Sequence, residues 1–196
     1  MNDKLEALKE RVRDIGKMSS SELDRSRRLY IYERPVALQG DDAKDYGVKR
    51  EISEYFGIPY GHVHFAGSTQ LGFSAHKDRE FIPKQSDLDV ACVSSELFQQ
   101  AWIDVLEATN RFTNLSVFAP LGKTDVDLFK EQIYKRGMIR IEVMPQSSTA
   151  VRWRQFEQRI SRKHLDKFKS VSIAIYMNEY AFCWKQNSAI EEIIGV

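Results

Sequence analysis

Two short apolar runs with polar ends most restrict what this chain can fold into. The first, residues 62–66, ends abruptly at Gly67, and the second, residues 88–93, follows Asp87 and contains Asp89. Successive side chains of a β-strand point to opposite faces, so Asp87 and Asp89 are predicted to share one face. Two carboxylates at that spacing repel each other unless a cation lies between them. A Mg²⁺ ion that is held partly by substrate phosphates suits such a pair.

The turn after the first run begins with Gly67-Ser68 and continues through Thr69 and Gln70 to a second glycine, Gly72. A glycine has no side chain to keep a ligand away from the backbone. The backbone N–H groups and the Ser68 hydroxyl can therefore approach phosphate oxygens. This makes the turn, including Thr69 and Gln70, a candidate nucleotide-binding segment. Either half of the pattern is weak alone, because Asp-x-Asp pairs and Gly-Ser turns are both common at strand ends.

Together and in this order, the two halves resemble the signature of the DNA polymerase β-like nucleotidyltransferase superfamily. The matching positions are Gly67, Ser68, Gly72, Ser86, Asp87 and Asp89. The resemblance is tight over residues 62–93 and loose elsewhere. It implies that Asp87 and Asp89 bind Mg²⁺ or Mn²⁺, while Gly67 and Ser68 hold the β- and γ-phosphates of a nucleoside triphosphate.

The reaction that the resemblance implies is the transfer of a nucleoside monophosphate to an acceptor, with release of pyrophosphate. The acceptor is a protein, an RNA or a nucleotide. Larger members of the superfamily add a helical domain that grips the acceptor, and little of this chain is left for one. The chain therefore looks like a minimal bacterial-type nucleotidyltransferase, of the kind found in toxin–antitoxin and antiphage modules.

Active members of the superfamily usually place a third carboxylate on a later strand, on the face shared with the first two. Glu142 is the first candidate, because residues 138–144 form a strand-like run in which Arg140 shares its face. Asp127 is the alternative, although its place in the first turn of a helical pattern also suits the positive end of a helix dipole. If neither residue serves, the chain is a catalytically degenerate nucleotide-binding regulator or a partner-binding module.

The segment between the two halves of the motif, residues 73–85, is polar and long for a hairpin connection. Because both of its ends are tied to the motif, it is predicted to lie near the nucleotide. Lys77, Arg79 and Lys84 are therefore candidates to meet phosphate or the acceptor, and Lys84 is included among the nucleotide-binding residues. Plain surface charge explains these three residues equally well.

Helical and strand-like patterns alternate along the rest of the chain. Helices are predicted over residues 2–16, after Ser21, over 42–56, after Ser94 or Ser95, over 125–134, around 152–168 and over 178–194, with a further strand over 171–177. These patterns predict a single α/β domain of the α+β type over residues 1–196, with a mixed sheet flanked by helices. Its N-terminal helices would occupy residues 1–57 and its catalytic core residues 58–196.

Charge, hydropathy and cysteine content restrict the class of protein and its location further. The formal net charge of +1 argues against a protein that coats nucleic acid. No apolar run approaches the roughly 18 residues of a transmembrane helix, so no membrane partner is expected. Cys92 and Cys183 do not make a disulfide framework, which favours a cytoplasmic location. His62 and His64 alternate as a zinc-binding pair would, but without a third ligand nearby they are expected to be ordinary strand residues.

Overall fold

A mixed four-stranded sheet lies at the centre of the computed structural model, which describes residues 3–118 and 123–195, except for the side chains of 123–125. The strands are β1 (Val63–Ala66), β2 (Phe73–Ser74), β3 (Arg79–Glu80), β4 (Leu88–Val93), β5 (Met138–Arg140) and β6 (Val171–Tyr176). In the sheet, β1 is antiparallel to β4, β4 is parallel to β6, and β6 is antiparallel to β5. The short strands β2 and β3 form a separate antiparallel pair. The predicted mixed α/β class and mixed sheet are confirmed.

Helices surround the sheet, and the three for which the sequence indicates a cap begin after Ser21, Asp41 and Ser94. They are α1 (Asp3–Lys17), α2 (Glu22–Arg27), α3 (Asp42–Phe56), α4 (Gly67–Leu71), α5 (Ser95–Ala108), α6 (Lys123–Arg136), α7 (Ser148–Lys163) and α8 (Glu179–Ile194). The Ser94 hydroxyl accepts a hydrogen bond from the Leu97 N–H at 3.2 Å and caps α5. Gly57 ends α3 in the left-handed conformation, with φ of +65°.

Side-chain alternation divides the core into two layers, one on each face of the sheet. Leu88, Val90 and Cys92 of β4 lie in the layer that also contains buried residues of α3, α5 and α7. Ala91 lies in the other layer, with buried residues of α1 and α8. Asp89 alternates with Leu88 and Val90, so it projects from the face that α8 partly covers.

The predicted strand over residues 138–144 is too long, because β5 ends at Arg140 and a 3₁₀ turn follows over Ile141–Val143. In the continued register, the next rung would pair Ile141 with Ile173. The Ile173 N–H instead donates to the Glu157 carboxylate on α7 at 2.8 Å. A side chain from another element therefore takes the place of the strand partner, and Glu142 lies in a turn rather than on a strand.

The first half of the motif also differs locally from the sequence prediction. β1 begins at Val63, because His62 belongs to a 3₁₀ turn over Tyr60–His62. The turn after β1 is a single turn of α-helix, α4, which Gly72 ends with φ of +86°. A Cβ at Gly72 would lie 2.7 Å from Cγ1 of Val36, so close packing also requires this glycine.

The N-terminal helices pack onto the sheet layer that α8 shares. Leu5, Val12 and Ile15 of α1 are buried there, as the helical spacing predicts. A π-helical turn over Arg28–Tyr32 follows α2. Both cysteines are free and buried, and none of the helices in the described ranges is long and apolar enough to cross a bilayer. The predicted start of α1 at residue 2 lies outside the described residues. So does Pro120-Leu121-Gly122, a sequence that predicts a turn.

Candidate active site

A cavity of about 730 Å³ opens on the sheet face that carries Asp89. Its walls come from the ends of β1 and β5, from β4 and β6, from the β2–β3 segment and from α8. This volume falls within the range of roughly 300–1,000 Å³ that is usual for small-molecule sites. Four of the predicted site residues, Gly67, Ser68, Asp87 and Asp89, line it. The fold therefore brings both halves of the motif to one cavity.

Small side chains on adjacent strands leave the room for this cavity. Ala91 of β4 lies opposite Ala174 of β6, and Ala66 of β1 lies opposite Asp89 of β4. All three alanines line the cavity. A methyl group projects only a short distance from a sheet, so larger residues at these positions would fill the space. The hollow is therefore a property of the sheet itself.

Gly67 lies directly against the Asp89 carboxylate. A Cβ at Gly67 would stand 3.3 Å from Cγ of Asp89 and closer still to its Oδ2, inside van der Waals contact. The φ of Gly67 is +57°, a conformation that side chains other than glycine adopt at a cost. Both the space and the backbone conformation at this position therefore require glycine.

The second aspartate is fixed by hydrogen bonds from neighbouring elements. The Ser170 hydroxyl, just before β6, donates to Asp87 Oδ1 at 2.7 Å. The Thr69 hydroxyl donates to the backbone carbonyl of Asp87 at 3.4 Å, which ties α4 to the start of β4. Thr69 is fully buried in this role. The carboxylates of Asp87 and Asp89 are thus held at the cavity by packing on both sides.

The environment opposes ionisation of Asp89. Its side chain is open to the cavity, but the surrounding walls remove much of the bulk water, and this desolvation raises the pKa of the carboxyl. The nearby charge of Asp87 raises it further, whereas Arg140, Lys185 and Lys77 lower it. A cation placed between the two aspartates would relieve the same repulsion.

Positive charge predominates around the cavity. Among the described residues, five lysine and arginine side chains line it, against the three carboxylates of Asp87, Asp89 and Glu192. The basic residues are Lys77, Arg79, Arg136, Arg140 and Lys185. Burial lowers the pKa of Lys185, and the positive charge of Arg136 lowers it further, while Asp89 acts in the opposite direction. An anionic ligand such as a polyphosphate would relieve the repulsion among these cations.

The two candidates for a third carboxylate have different surroundings. Glu142 accepts from Arg140 Nη2 at 2.9 Å and from the Ser172 hydroxyl at 3.4 Å. Ser172 lies opposite Asp89 on the neighbouring strand. The Ser172 hydroxyl therefore occupies the position beside Asp89 that the Glu142 carboxylate was expected to take. Asp127 is exposed on α6. Neither carboxylate is among the described residues that line the cavity.

Three side chains that were predicted to bind the nucleotide, those of Thr69, Gln70 and Lys84, lie in environments other than the cavity wall. The Gln70 amide is buried and donates to the carbonyls of Leu29 at 2.7 Å and Glu33 at 2.9 Å, which ties α4 to the π-helical turn. Lys84 is exposed with φ of +64°, and its N–H donates to the Lys167 carbonyl at 2.9 Å. Within the described ranges, the side chains of Thr69, Gln70 and Lys84 do not line the cavity. Lys77 and Arg79, from the same part of the chain, do.

Sequence reasoning missed four residues of the cavity wall, Tyr30, Tyr176, Lys185 and Gln186. Tyr30 and Tyr176 lie in apolar runs and resemble core residues. Gln186 offered a usable signal, because it lies between the buried Phe182 and Ile190 at helical spacing. A polar residue on an otherwise apolar stripe usually has a buried partner to satisfy.

The paired histidines have separate environments. His64 stacks on Phe182 with ring centroids 5.7 Å apart, and burial lowers its pKa to about 4. His62 is exposed. The described part of the chain holds no group of three or more His, Cys, Asp or Glu side chains placed to hold a metal ion. Any ion at the aspartate pair would therefore need water or ligand oxygens in addition.

Comparison of the chain with protein-family models, with curated proteins and with solved structures returns no match.

Proposed function

We propose that this protein is a metal-dependent nucleotidyltransferase, which moves a nucleoside monophosphate from a nucleoside triphosphate to an acceptor. The observation that carries the proposal is the packing of the Asp89 carboxylate against Gly67, at the edge of a cavity rich in cations. This packing joins a turn suited to phosphate with a pair of carboxylates suited to a divalent ion. A nucleotidyltransferase-like fold is part of the proposal, supported by the antiparallel pairing of β1 with β4.

The two aspartates fit Mg²⁺ or Mn²⁺ as the metal ion. Asp87 and Asp89 offer hard carboxylate oxygens at one cavity wall, where desolvation and mutual repulsion raise the pKa of Asp89. In proteins, Mg²⁺ is usually held by one or two carboxylates, with water and substrate phosphates completing its coordination. When bound, such an ion would neutralise charge at the reacting phosphate.

The remaining roles fall to side chains along the cavity. The backbone at Gly67 and the Ser68 hydroxyl would donate hydrogen bonds to the β- and γ-phosphates. Lys77 and Lys185 would stabilise the charge that develops on the leaving pyrophosphate. A bond forms between an acceptor atom and the α-phosphorus, and the bond from that phosphorus to the bridging oxygen breaks. Pyrophosphate leaves with the electron pair of that bond, and the acceptor's proton passes to the Glu142 carboxylate or to a water molecule of the open cavity.

The acceptor is proposed to be a protein, an RNA or a nucleotide in the cytoplasm. A toxin–antitoxin or antiphage module would supply a protein or RNA acceptor. The transfer assay below is designed to report which class receives the label.

A second candidate function is a nucleotide-binding regulator that does not turn its ligand over. The observation in its favour is that Glu142 is engaged by Arg140 and Ser172, which line the cavity, while Glu142 itself is not among the described residues that line it. Without a third carboxylate, the acceptor would lack a nearby group to accept its proton. In that case the protein would bind nucleoside triphosphate and metal, and it would transfer nothing.

The deciding experiment incubates the purified protein with each α-³²P-labelled nucleoside triphosphate and Mg²⁺ or Mn²⁺, with and without cell extract. Products are resolved by thin-layer chromatography and on protein and RNA gels. The test variant is Asp87→Asn/Asp89→Asn, and the control is Asp14→Asn, which alters an exposed aspartate of α1 that is not among the described residues lining the cavity. Circular dichroism verifies that both variants remain folded.

Transfer that is lost in the double variant and kept in Asp14→Asn would support the enzyme. Metal-dependent binding without transfer would support the regulator. Transfer at wild-type rate by the folded double variant would refute the assignment of the aspartate pair. Glu142→Gln adds a further distinction, because a catalytic carboxylate would abolish transfer while nucleotide binding remains.

A further inference from the structure

The inner end of the cavity contains a buried hydroxyl without a partner. Tyr30, from the π-helical turn, is 2 % exposed and lines the cavity. Its hydroxyl has no hydrogen-bond partner within the described residues. A buried polar group left unpaired costs free energy, so natural proteins rarely keep one without a reason. The cavity that this hydroxyl adjoins supplies the space for a partner.

A second phenol stands beside it with its own hydrogen atom available. Tyr176, at the end of β6, is 5 % exposed and also lines the cavity. Its oxygen accepts from Gln186 Nε2 at 3.4 Å, which leaves its O–H free to donate elsewhere. The inner end therefore presents two phenol donors and one amide.

Phe182 fixes the directions of both phenol rings. Its ring makes edge contacts with Tyr30 at 6.0 Å and with Tyr176 at 5.2 Å between centroids. Burial raises the pKa of both tyrosines, so both keep their protons at neutral pH and act as donors. Two held donors are prearranged for a ligand that carries hydrogen-bond acceptors.

The inner end lies at a distance from the aspartates that leaves room for an organic group. Tyr176 lies four residues along β6 from Ser172, which pairs with Asp89. At about 3.3 Å per residue, this separation is roughly 13 Å along the strand. Ala91 and Ala174 form the floor between the two ends. The charges of Arg140, Asp89 and Arg136 also act on the Tyr176 hydroxyl, but the two tyrosines themselves offer neutral donors and ring edges.

We propose that the inner end of the cavity binds the base of the nucleotide, with the Tyr30 and Tyr176 hydroxyls donating hydrogen bonds to acceptor atoms on the base. This inference rests on the proposed function, because the phosphates would then occupy the end near Asp89. The acceptors are carbonyl oxygens or ring nitrogens, which every nucleobase presents on one edge. The amide of Gln186 can pair with a neighbouring acceptor or donor and contributes to the choice among bases.

The test measures binding by calorimetry with two kinds of probe in the presence of Mg²⁺. The α,β-methylene analogues of the four nucleoside triphosphates carry a base and resist transfer, whereas inorganic tripolyphosphate carries no base. The variants are Tyr30→Phe and Tyr176→Phe, each of which removes one oxygen atom. Tyr180→Phe is the matched control, because Tyr180 lies on α8 and is 60 % exposed.

Tyr30→Phe and Tyr176→Phe are each expected to weaken binding of the best analogue by about three- to tenfold, the effect of losing one hydrogen bond. Tripolyphosphate should bind both variants as it binds the wild type, and Tyr180→Phe should leave every affinity unchanged. The melting temperature of Tyr30→Phe should equal or exceed that of the wild type, because an unpaired buried hydroxyl has been removed. A residue that served only the fold would give the opposite stability result.

Wild-type affinity of folded Tyr30→Phe and Tyr176→Phe for all four analogues would overturn this subsite and leave the proposed function standing, with water as the ordinary partner of Tyr30. Equal losses for analogue and tripolyphosphate would also overturn it, because the tyrosines would then serve the phosphates. Failure of the wild type to bind any analogue would refute the proposed function and the subsite together.

Discussion

Replacing Gly67 by alanine tests whether the contact between the glycine turn and Asp89 holds the site together. The left-handed backbone costs an alanine about 1–2 kcal/mol. In addition, the new Cβ would meet Asp89 Oδ2, so the carboxylate must leave its position. Moving that side chain off its preferred rotamer adds about 0.5–1.5 kcal/mol. Gly67→Ala should therefore destabilise the protein by about 1.5–3.5 kcal/mol, and transfer should be lost because Asp89 is displaced.

Gly57→Ala is the matched control for the backbone term. Gly57 has φ of +65°, close to the +57° of Gly67, and apart from its chain neighbours no atom of the described residues lies within 4 Å of the Cβ that an alanine would add. It should cost only the roughly 1–2 kcal/mol of backbone strain and leave transfer unchanged. The difference between the two variants isolates the contact with Asp89.

The assay is urea unfolding of both variants in the wild-type and Asp89→Ala backgrounds, alongside label transfer in the wild-type background. Removing the carboxylate should make Gly67→Ala cost as little as Gly57→Ala, so the coupling between positions 67 and 89 should be about 0.5–1.5 kcal/mol. Equal costs for the two glycine variants in both backgrounds, with normal transfer by Gly67→Ala, would refute the reasoning.

Three further perturbations separate the roles of single side chains. Gln70→Ala should destabilise the fold by about 1–3 kcal/mol in urea unfolding, because the carbonyls of Leu29 and Glu33 lose their donor. Unchanged stability with weaker nucleotide binding would instead indicate that Gln70 binds the nucleotide. Lys185→Gln should weaken tripolyphosphate binding by about tenfold in calorimetry, as expected for one charge-assisted hydrogen bond. An unchanged affinity would place the phosphates elsewhere. Burial raises the pKa of Glu157 from 4.5 to about 7, so between these values the folded protein binds more protons than the unfolded chain and stability falls as pH rises. Glu157→Gln should remove that decline, which is at most about 3 kcal/mol between pH 4.5 and 7, and an equal decline in the variant would contradict the assignment.

Local patterns predicted the elements that carry the site. The strand that contains Asp89 alternates between a wholly apolar layer and the cavity face, so its period was readable from Leu88 to Val93. Gly57 and Ser94 marked helix ends because capping needs only neighbouring residues. Gly67 and Asp89 could be paired because a recognisable spacing connects them.

Structural features that depend on contacts between distant segments could not be predicted from local sequence patterns. The end of β5 at Arg140 reflects Glu157, a residue on another helix, so the apolar run alone predicted too long a strand for Glu142. Because α4 is a single helical turn, some of its side chains face the cavity and others face the protein interior. Periodicity cannot assign faces over so short an element, and Gln70 was therefore given to the ligand although it holds the π-helical turn.

The two ends of the cavity form in different ways. The aspartate end comes from residues that are close in the sequence, whereas the inner end is created only by tertiary packing. Asp87 and Asp89 reach the cavity through their own strand and the turn beside it, whereas Tyr30 and Gln186 come from segments far apart in the chain. Under the proposed assignment, substitutions at the inner end would alter which base is bound, while the acidic edge would still recruit metal and phosphate. A site with two such ends can keep the proposed transfer chemistry while its preference among bases changes. That preference would change with the packing of the N-terminal helices against α8. For this reason, phosphate binding and base selection are best measured with separate probes.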